Sequence, residues 1–405
     1  MKKSLIKVLV VLAIAALAVA VVSGCKATAE TTTTAAAETT AAATTAAAET
    51  TAAVTEPEVL TLNIGYYADA ADSYYQVEMD TFKACADADP ECKWNVNMKV
   101  GQSTAAEQLQ AVEDFIMAGY DAIVVIQNNP ETTSECIAKC VDAGIPYFGA
   151  SHSFAGISNR KDAAGSCCFN FITAGKYSGV DLVARGAKKI IMIEGVLGQG
   201  SASAQTLGFL LAYEEAGIKL GASAKDVAEL KTEVKLDGTQ EAKVVAWASG
   251  GWFSDPAQKA MSDFITSLGP KGFDAVYAQN DPMMEGVLLA MESAGLNPED
   301  YLLCACNGRE ISWQWVKDKI IKNDVNQPAS LEGETIYQQV KAYFKGESYR
   351  KYIHPYLTPY NVDNINEVYD SLVPFSDVAK YMEKRAAGAF VTDINDPKWT
   401  DQEGY

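Results

Sequence analysis

Two stretches of the chain share one pattern, and that repeat limits what the chain can fold into. The first reads Gly119-Tyr120-Asp121-Ala122-Ile123-Val124-Val125-Ile126-Gln127-Asn128-Asn129-Pro130, continues as helical text to Ala143-Gly144, and ends in Ile145-Pro146-Tyr147-Phe148. The second reads Gly272-Phe273-Asp274-Ala275-Val276-Tyr277-Ala278-Gln279-Asn280-Asp281-Pro282, runs on to Ala294-Gly295, and ends in Tyr301-Leu302-Leu303-Cys304. Each predicts a short apolar strand, a Gln-Asn corner, a helix opened by proline and a second strand, which is a βαβ unit. The corner falls at the carboxyl end of its strand, where open α/β sheets bind ligands. Two corners roughly 150 residues apart predict an α/β chain of two similar lobes. Their polar edges, with Gln127 and Asn280 opposed, are expected to face one cleft and clamp an uncharged solute.

The first 58 residues predict an address and a tether. Lys2, Lys3 and Lys7 precede an apolar run over 9–22, then Val22-Ser23-Gly24-Cys25. Small residues before a cysteine, after a short apolar run, resemble a bacterial lipobox, which implies a signal peptide over 1–24 and a lipid on Cys25. An uncleaved membrane anchor is the alternative, but an ordinary anchor has no need of Gly-Cys there. Both readings export the chain and hold it at a membrane, on the outer face of the cytoplasmic membrane if Cys25 is lipidated. Residues 25–58 are mostly Thr and Ala and lack the large apolar residues a core requires, so they read as a disordered tether spanning roughly 30 Å.

About 345 residues remain, enough for two domains. Without the three leader lysines, 30 cations face 52 anions, a charge of −22. That is a poor match for nucleic acid, whose binding needs basic patches. Besides Cys25 there are eight cysteines and only two histidines, His152 and His354, so no metal site is expected. The cysteines read as small buried hydrophobes in an anaerobe, of Gram-positive type. Cys85 with Cys92, flanking a helix-to-strand turn, is the one pair to test for a disulfide.

In the first lobe, 59–67 alternates as a strand, and Asp72 or Ser73 can cap the helix that follows to about residue 87. Thr104 and Glu107 form a capping box ahead of a helix to residue 117. Strand ends then offer Asp72, Tyr74, Tyr75, Gln127, Ser151 and His152 toward one edge. Paired tyrosines beside amides and hydroxyls suit a polyol, because flat faces meet C–H surfaces while polar tips bond hydroxyls. Packing at the helix start is the other reading of Tyr74-Tyr75.

By this point the chain resembles the ribose-binding type of periplasmic binding protein, the substrate receptor of sugar ABC importers, over roughly residues 59–375. The motifs that carry the resemblance are Tyr74-Tyr75, Ala143-Gly144-Ile145-Pro146, Gly175-x-x-x-Gly179, Gly208-Phe209 and Ala278-Gln279-Asn280-Asp281. It implies an α/β fold of two Rossmann-like lobes with parallel sheets, joined by a three-segment hinge. The lobes would be 59–169 plus 328–354 and 170–327 plus 355–375, with 376–405 an extension beyond the family's usual end. It places the aromatic pair on Tyr74 and Tyr75, the polar residue before it on Asp72, the strand-end amide on Gln127, the second Asn on Asn280, the hinge glutamine on Gln327 and a third aromatic on Trp252 or Phe253. Three places depart from the family. Ser151 and His152 stand where it has Asp and Arg, Gln205 where it has Arg, and Asn307 where it has a second Asp. Charged partners should disappear together, because a buried charge left alone is costly, so a neutral pocket is expected.

In the second lobe, 167–171 is expected as the first crossing, with Asn170 at its mouth. The crossings at 324–327 and 355–359 should follow. Gly195-Val196-Leu197-Gly198-Gln199-Gly200-Ser201 lacks phosphate-loop spacing and reads as a tight turn at the cleft. Residues 309–321 predict a helix, residues near 378–387 another, and a loose tail is expected after it; 219–243 is irregular.

These features point to a monomeric receptor that captures a small neutral polar solute, a sugar or polyol, and hands it to an ABC permease by hinge closure. A surface sensor for a sugar-like signal such as a furanosyl autoinducer, coupled to a membrane kinase, is the alternative. An enzyme is disfavoured, and neither a catalytic residue nor a cofactor is expected. There is no Gly-x-Ser-x-Gly elbow, histidine-rich set or phosphate loop, and His152 with Asp72 has no nucleophile beside it.

Overall fold

The computed structural model describes residues 59–127, 129–152, 157–223 and 238–402. The leader, Cys25, the tether, Asn128 and most of the irregular 219–243 text lie outside the described residues.

The first half of the chain builds β1 (Leu60–Ala68), α1 (Ser73–Ala88), β2 (Cys92–Val100), α2 (Ala105–Met117), β3 (Ala122–Ile126), α3 (Pro130–Ala143), β4 (Tyr147–Ala150) and β5 (Gly165–Cys167). Side chains alternate across a strand. Ala122, Val124 and Ile126 therefore enter one core with α1, while Ile123 and Val125 enter another with α2 and α3. A strand covered on both faces has no polar side, which is why the first signature reads as continuous apolar text. Thr104 caps α2 by accepting from Glu107 N at 3.3 Å, but the Glu107 carboxylate reaches back to Gln102 N at 2.8 Å instead of Thr104 N, so the expected capping box forms only on its Thr104 side.

The second half repeats the plan in α4 (Phe171–Arg185), β6 (Lys189–Glu194), α5 (Gly200–Glu215), β7 (Lys243–Ser249), α6 (Ser254–Leu268), β8 (Ala275–Ala278), α7 (Asp281–Ser293), β9 (Leu302–Cys304), α8 (Glu310–Lys317) and β10 (Asn323–Asn326). The chain then adds α9 (Ala329–Lys345), β11 (Tyr352–His354), β12 (Thr358–Asn361), α10 (Ile365–Val368), α11 (Val378–Ala386) and β13 (Thr400–Asp401). Two sheets result, ordered β13-β11-β5-β4-β3-β1-β2 and β12-β10-β9-β8-β6-β7. All pairings are parallel except β11 with β13 and β10 with β12. This is an α/β fold of two parallel-dominated sheets.

The repeat has a local cause. Asp121 accepts from Asn63 N at 2.7 Å, and Asp274 accepts from Lys189 N at 2.8 Å. Each aspartate thus pins its strand to the one beside it. Asn129 and Asn280 each cap the following helix, accepting from Thr132 N and Met283 N at 2.9 Å.

Among the described residues the chain passes between the two sheets at 168–170, 327–328 and 355–357, and a fourth time at 373–377. The expected loose tail is instead docked. α11 packs on α1, β13 pairs with β11, and Ile394 and Trp399 are buried. Glu334 is fully buried and receives a fork from Arg385, at 2.6 and 2.8 Å, together with the Tyr381 hydroxyl at 2.9 Å. The helix expected over 309–321 is shorter, because Lys319 takes a positive φ of 63° just past α8. All eight cysteines outside the leader region are free, Cys85 and Cys92 included, and only Cys92 is not buried.

Candidate functional site

A cavity of about 330 Å³ opens between the carboxyl ends of the two sheets. Ten of the twelve residues expected at a cleft line it: Asp72, Tyr74, Tyr75, Ser151, His152, Gln205, Trp252, Asn280, Asn307 and Gln327. Gln127 and Asn170 do not.

Gln127 fails for a reason of register. Two residues separate the end of β3 from the cap of α3, whereas one separates β8 from the cap of α7. The structural counterpart of Asn280 is therefore Asn129. Gln127 is buried instead and does not join Asn280 in the cavity lining. Asn170 caps α4, its side chain accepting from Thr173 N at 3.0 Å.

One wall is built at the start of α1. Asp72 caps that helix by accepting from Tyr74 N at 2.7 Å, which fixes where both tyrosines begin. The Tyr74 hydroxyl donates to Glu332 at 2.7 Å, and Tyr75 Oη lies 3.0 Å from His152 Nε2. Burial pushes both phenols well up and pushes His152 down to about 4, so the imidazole is neutral. Burial also raises the Asp72 carboxyl, against the opposing pull of Tyr74 N–H and Arg309.

Beneath this wall lies a sealed carboxyl pair. Ser151 Oγ hydrogen-bonds Glu78 and lies 3.3 Å from Glu332 Oε2. Tyr66 donates to Glu78 at 2.9 Å, and Phe169 N donates to Glu332 at 3.0 Å. Burial lifts Glu78 to about 7, and burial followed by the Glu78 charge lifts Glu332 well above the usual carboxylate range. Two buried carboxyls on one hydroxyl each oppose the ionisation of the other. Ser151 replaces an aspartate of the related pattern, yet acidity persists one layer down.

The other wall centres on Trp252, held at a φ of +72°. Gly195 makes room for its ring, since a Cβ there would fall 2.2 Å from the indole. The indole N–H donates to Gln199 Oε1. Asn280 Nδ2 donates to the Trp252 carbonyl at 3.0 Å while Asn280 Oδ1 caps α7. Asn280 is thus a positioning residue for Trp252. Gln279 holds the turn at 195–202, accepting from Gly195 N at 2.9 Å and donating to Ala202 O at 3.0 Å. Gln327 N donates to Asn307 O at 3.0 Å, which docks the second passage against the second sheet.

The sequence reading missed Arg309 and Phe375, both of which line the cavity, along with Phe171, while Gln199 and Ser201 line it from the turn expected at the cleft. Arg309 corrects the expectation of a neutral pocket, because a guanidinium on one wall faces the Asp72 carboxyl on the other. Arg309 Nε and Gln327 Oε1 are buried with no hydrogen-bond partner. Leaving such atoms unpaired is costly, and functional sites are where that cost is tolerated. Arg309 follows Asn307-Gly308 with only its position at a helix start as a signal. Phe375 lies at the far end of the resembling region and had none. No cluster of three or more metal-ligating side chains occurs among the described residues. No helix among them is long and apolar enough to cross a membrane.

Residues 64–348 match the family model described as periplasmic binding protein domain. The chain is 26% identical over 290 residues to the xylitol-binding protein of Mycolicibacterium smegmatis, covering 70% of this chain and 73% of that protein. It is 24% identical over 276 residues to the D-apiose import binding protein of Paraburkholderia graminis, covering 67% and 77%. A crystal structure of a galactofuranose binding protein superposes with a TM-score of 0.65 at 20% identity, covering 81% of this chain and 99% of that one.

Proposed function

The chain belongs to the periplasmic binding protein family, whose members bind solutes and are not enzymes, and we propose that its cavity captures a small neutral sugar or polyol and delivers it to an ABC permease. The observation that carries this reading is the pair of orphaned atoms, Gln327 Oε1 and Arg309 Nε, set among Tyr74, Tyr75 and Trp252. A polyhydroxylated solute supplies the missing donor and acceptor at once, and its C–H faces match the rings. The opposite charges of Asp72 and Arg309 favour a guest without net charge, and the relatives named for xylitol and D-apiose agree with that class. In this reading 59–169 with 328–354 and 170–327 with 355–375 are the lobes, and solute bridging both stabilises the closed arrangement. Cys25 carries a lipid after export, 26–58 tether the receptor to the outer face of the cytoplasmic membrane, and the receptor works as a monomer.

The test is a thermal-shift screen over pentoses, hexoses, polyols and nucleosides, with xylitol and D-apiose included. A solute bound only by the native form raises the melting temperature. A rise with one polyol or sugar class supports the reading; no rise with any member contradicts it.

A further inference from the structure

The fourth passage between the sheets is tied to both halves within four residues. Asn326, on β10, accepts from Val373 N at 3.0 Å and donates to Val373 O at 3.1 Å. Ser330, on α9, donates to Pro374 O at 2.7 Å. Glu310, which opens α8, accepts from Phe375 N at 3.0 Å and from Ser376 N at 3.2 Å. Phe375 is 2% exposed, lines the cavity and packs edge-on to Tyr74, with centroids 5.4 Å apart. Arg309 and Glu310 are adjacent, so one corner of backbone presents a guanidinium to the cavity and a carboxylate to the passage.

We propose that this passage is a working part of the solute site. Phe375 supplies one wall beside Tyr74, and solute capture and the seating of residues 373–386 stabilise each other. The proposal rests on reading the cavity as a solute site. The Tyr74 hydroxyl is committed to Glu332, so what Tyr74 offers a guest is its ring, and Phe375 fixes how that ring is presented. A segment of four residues bonded to both halves has little slack. A change in the angle between the halves acts on this segment through its bonds to Asn326, Ser330 and Glu310. Coupling of this kind is reciprocal: what favours the closed cleft favours the seated segment by the same factor. Beyond Phe375, α11 is anchored on Glu334 through Arg385, so the extension holds the passage from its far side.

The test uses the full chain and the tightest binder among xylitol, D-apiose and a panel of pentoses and hexoses. Affinity is read by calorimetry for wild type, Phe375→Leu, Glu310→Gln and Trp252→Ala, with melting without solute as the check on folding. Phe375→Leu keeps apolar volume and removes the ring. It is expected to weaken binding about tenfold, the loss of one buried aromatic contact. Glu310→Gln is expected to weaken binding less, and solute is expected to slow amide exchange over 373–386 in wild type. Undiminished affinity in Phe375→Leu alongside loss in Trp252→Ala overturns the proposal and leaves the cleft reading standing. Unchanged exchange over 373–386 on binding also overturns it. If no panel member binds wild type, the cleft reading fails and this proposal fails with it.

Discussion

The Tyr74 hydroxyl donates to Glu332 across 2.7 Å, and that bond joins the face of the cleft to a carboxyl pair sealed beneath it. Tyr74→Phe removes the donor and leaves a buried carboxyl short of a partner. The expected cost is about 1–3 kcal/mol of folding stability, read by urea or thermal unfolding. An unchanged midpoint would show that the bond contributes nothing.

The same pair sets a pH dependence. Glu78 is raised from 4.5 to about 7 in the folded chain, so its contribution is complete below 4.5 and is lost as pH rises through 7. Glu332 and Asp281 are raised as well and act in the same direction. His152, lowered from 6.5 to about 4, works the other way: its contribution is present above 6.5 and lost as pH falls through 4. The melting temperature is expected to fall between pH 5.5 and 8. Glu78→Gln is expected to flatten that fall, and His152→Gln to steepen it. A melting temperature that rises across this window in wild type contradicts the assignment.

Arg309 separates stability from binding. Its Nε is buried without a partner, so Arg309→Gln removes an unpaired donor. The empty protein is expected to melt at the same temperature or higher, while solute affinity falls. A large drop in the melting temperature of the empty protein would place Arg309 in the fold instead of the site.

Gly195 tests the placement of Trp252. A methyl at Gly195 would overlap the indole, so Gly195→Ala must displace the ring. The expected cost is about 1–3 kcal/mol of stability from overpacking, together with weakened binding. Retention of both would mean that the ring is not seated there.

The docked extension has its own test. Glu334 is fully buried and Arg385 is its only ion-pair partner among the described residues. Arg385→Ala leaves that carboxylate uncompensated and is expected to cost about 3–5 kcal/mol, read by denaturant unfolding.

The fold was legible where local chemistry repeats. Strands buried on both faces write continuous apolar text, and Asp121 with Asp274, and Asn129 with Asn280, do the same jobs in each half. Most of the cleft was legible too, because strand ends and helix starts are readable in sequence. Gln127 was misplaced because one extra residue before the cap of α3 shifts the corner, and a shift of one residue leaves no compositional mark. Asn280 lines the cavity as expected, and its amide also caps α7 and holds the Trp252 carbonyl, a second task that its strand-end place does not announce. Phe375 and the fourth passage could not be read, since their place depends on how a C-terminal helix docks on α1. Arg309 looked like an ordinary helix-start residue, and only the cavity gives its charge a role.

The most direct test of the central claim is calorimetric titration of the best polyol or sugar from the screen into wild type, Tyr75→Ala and Trp252→Ala. These two side chains stand on opposite walls: Tyr75 is on α1, which follows β1 of one sheet, and Trp252 is in the turn after β7 of the other. One solute per chain is expected in wild type, with each substitution weakening binding by about 1–3 kcal/mol. Unchanged affinity in both variants would mean that the solute is not held between those walls.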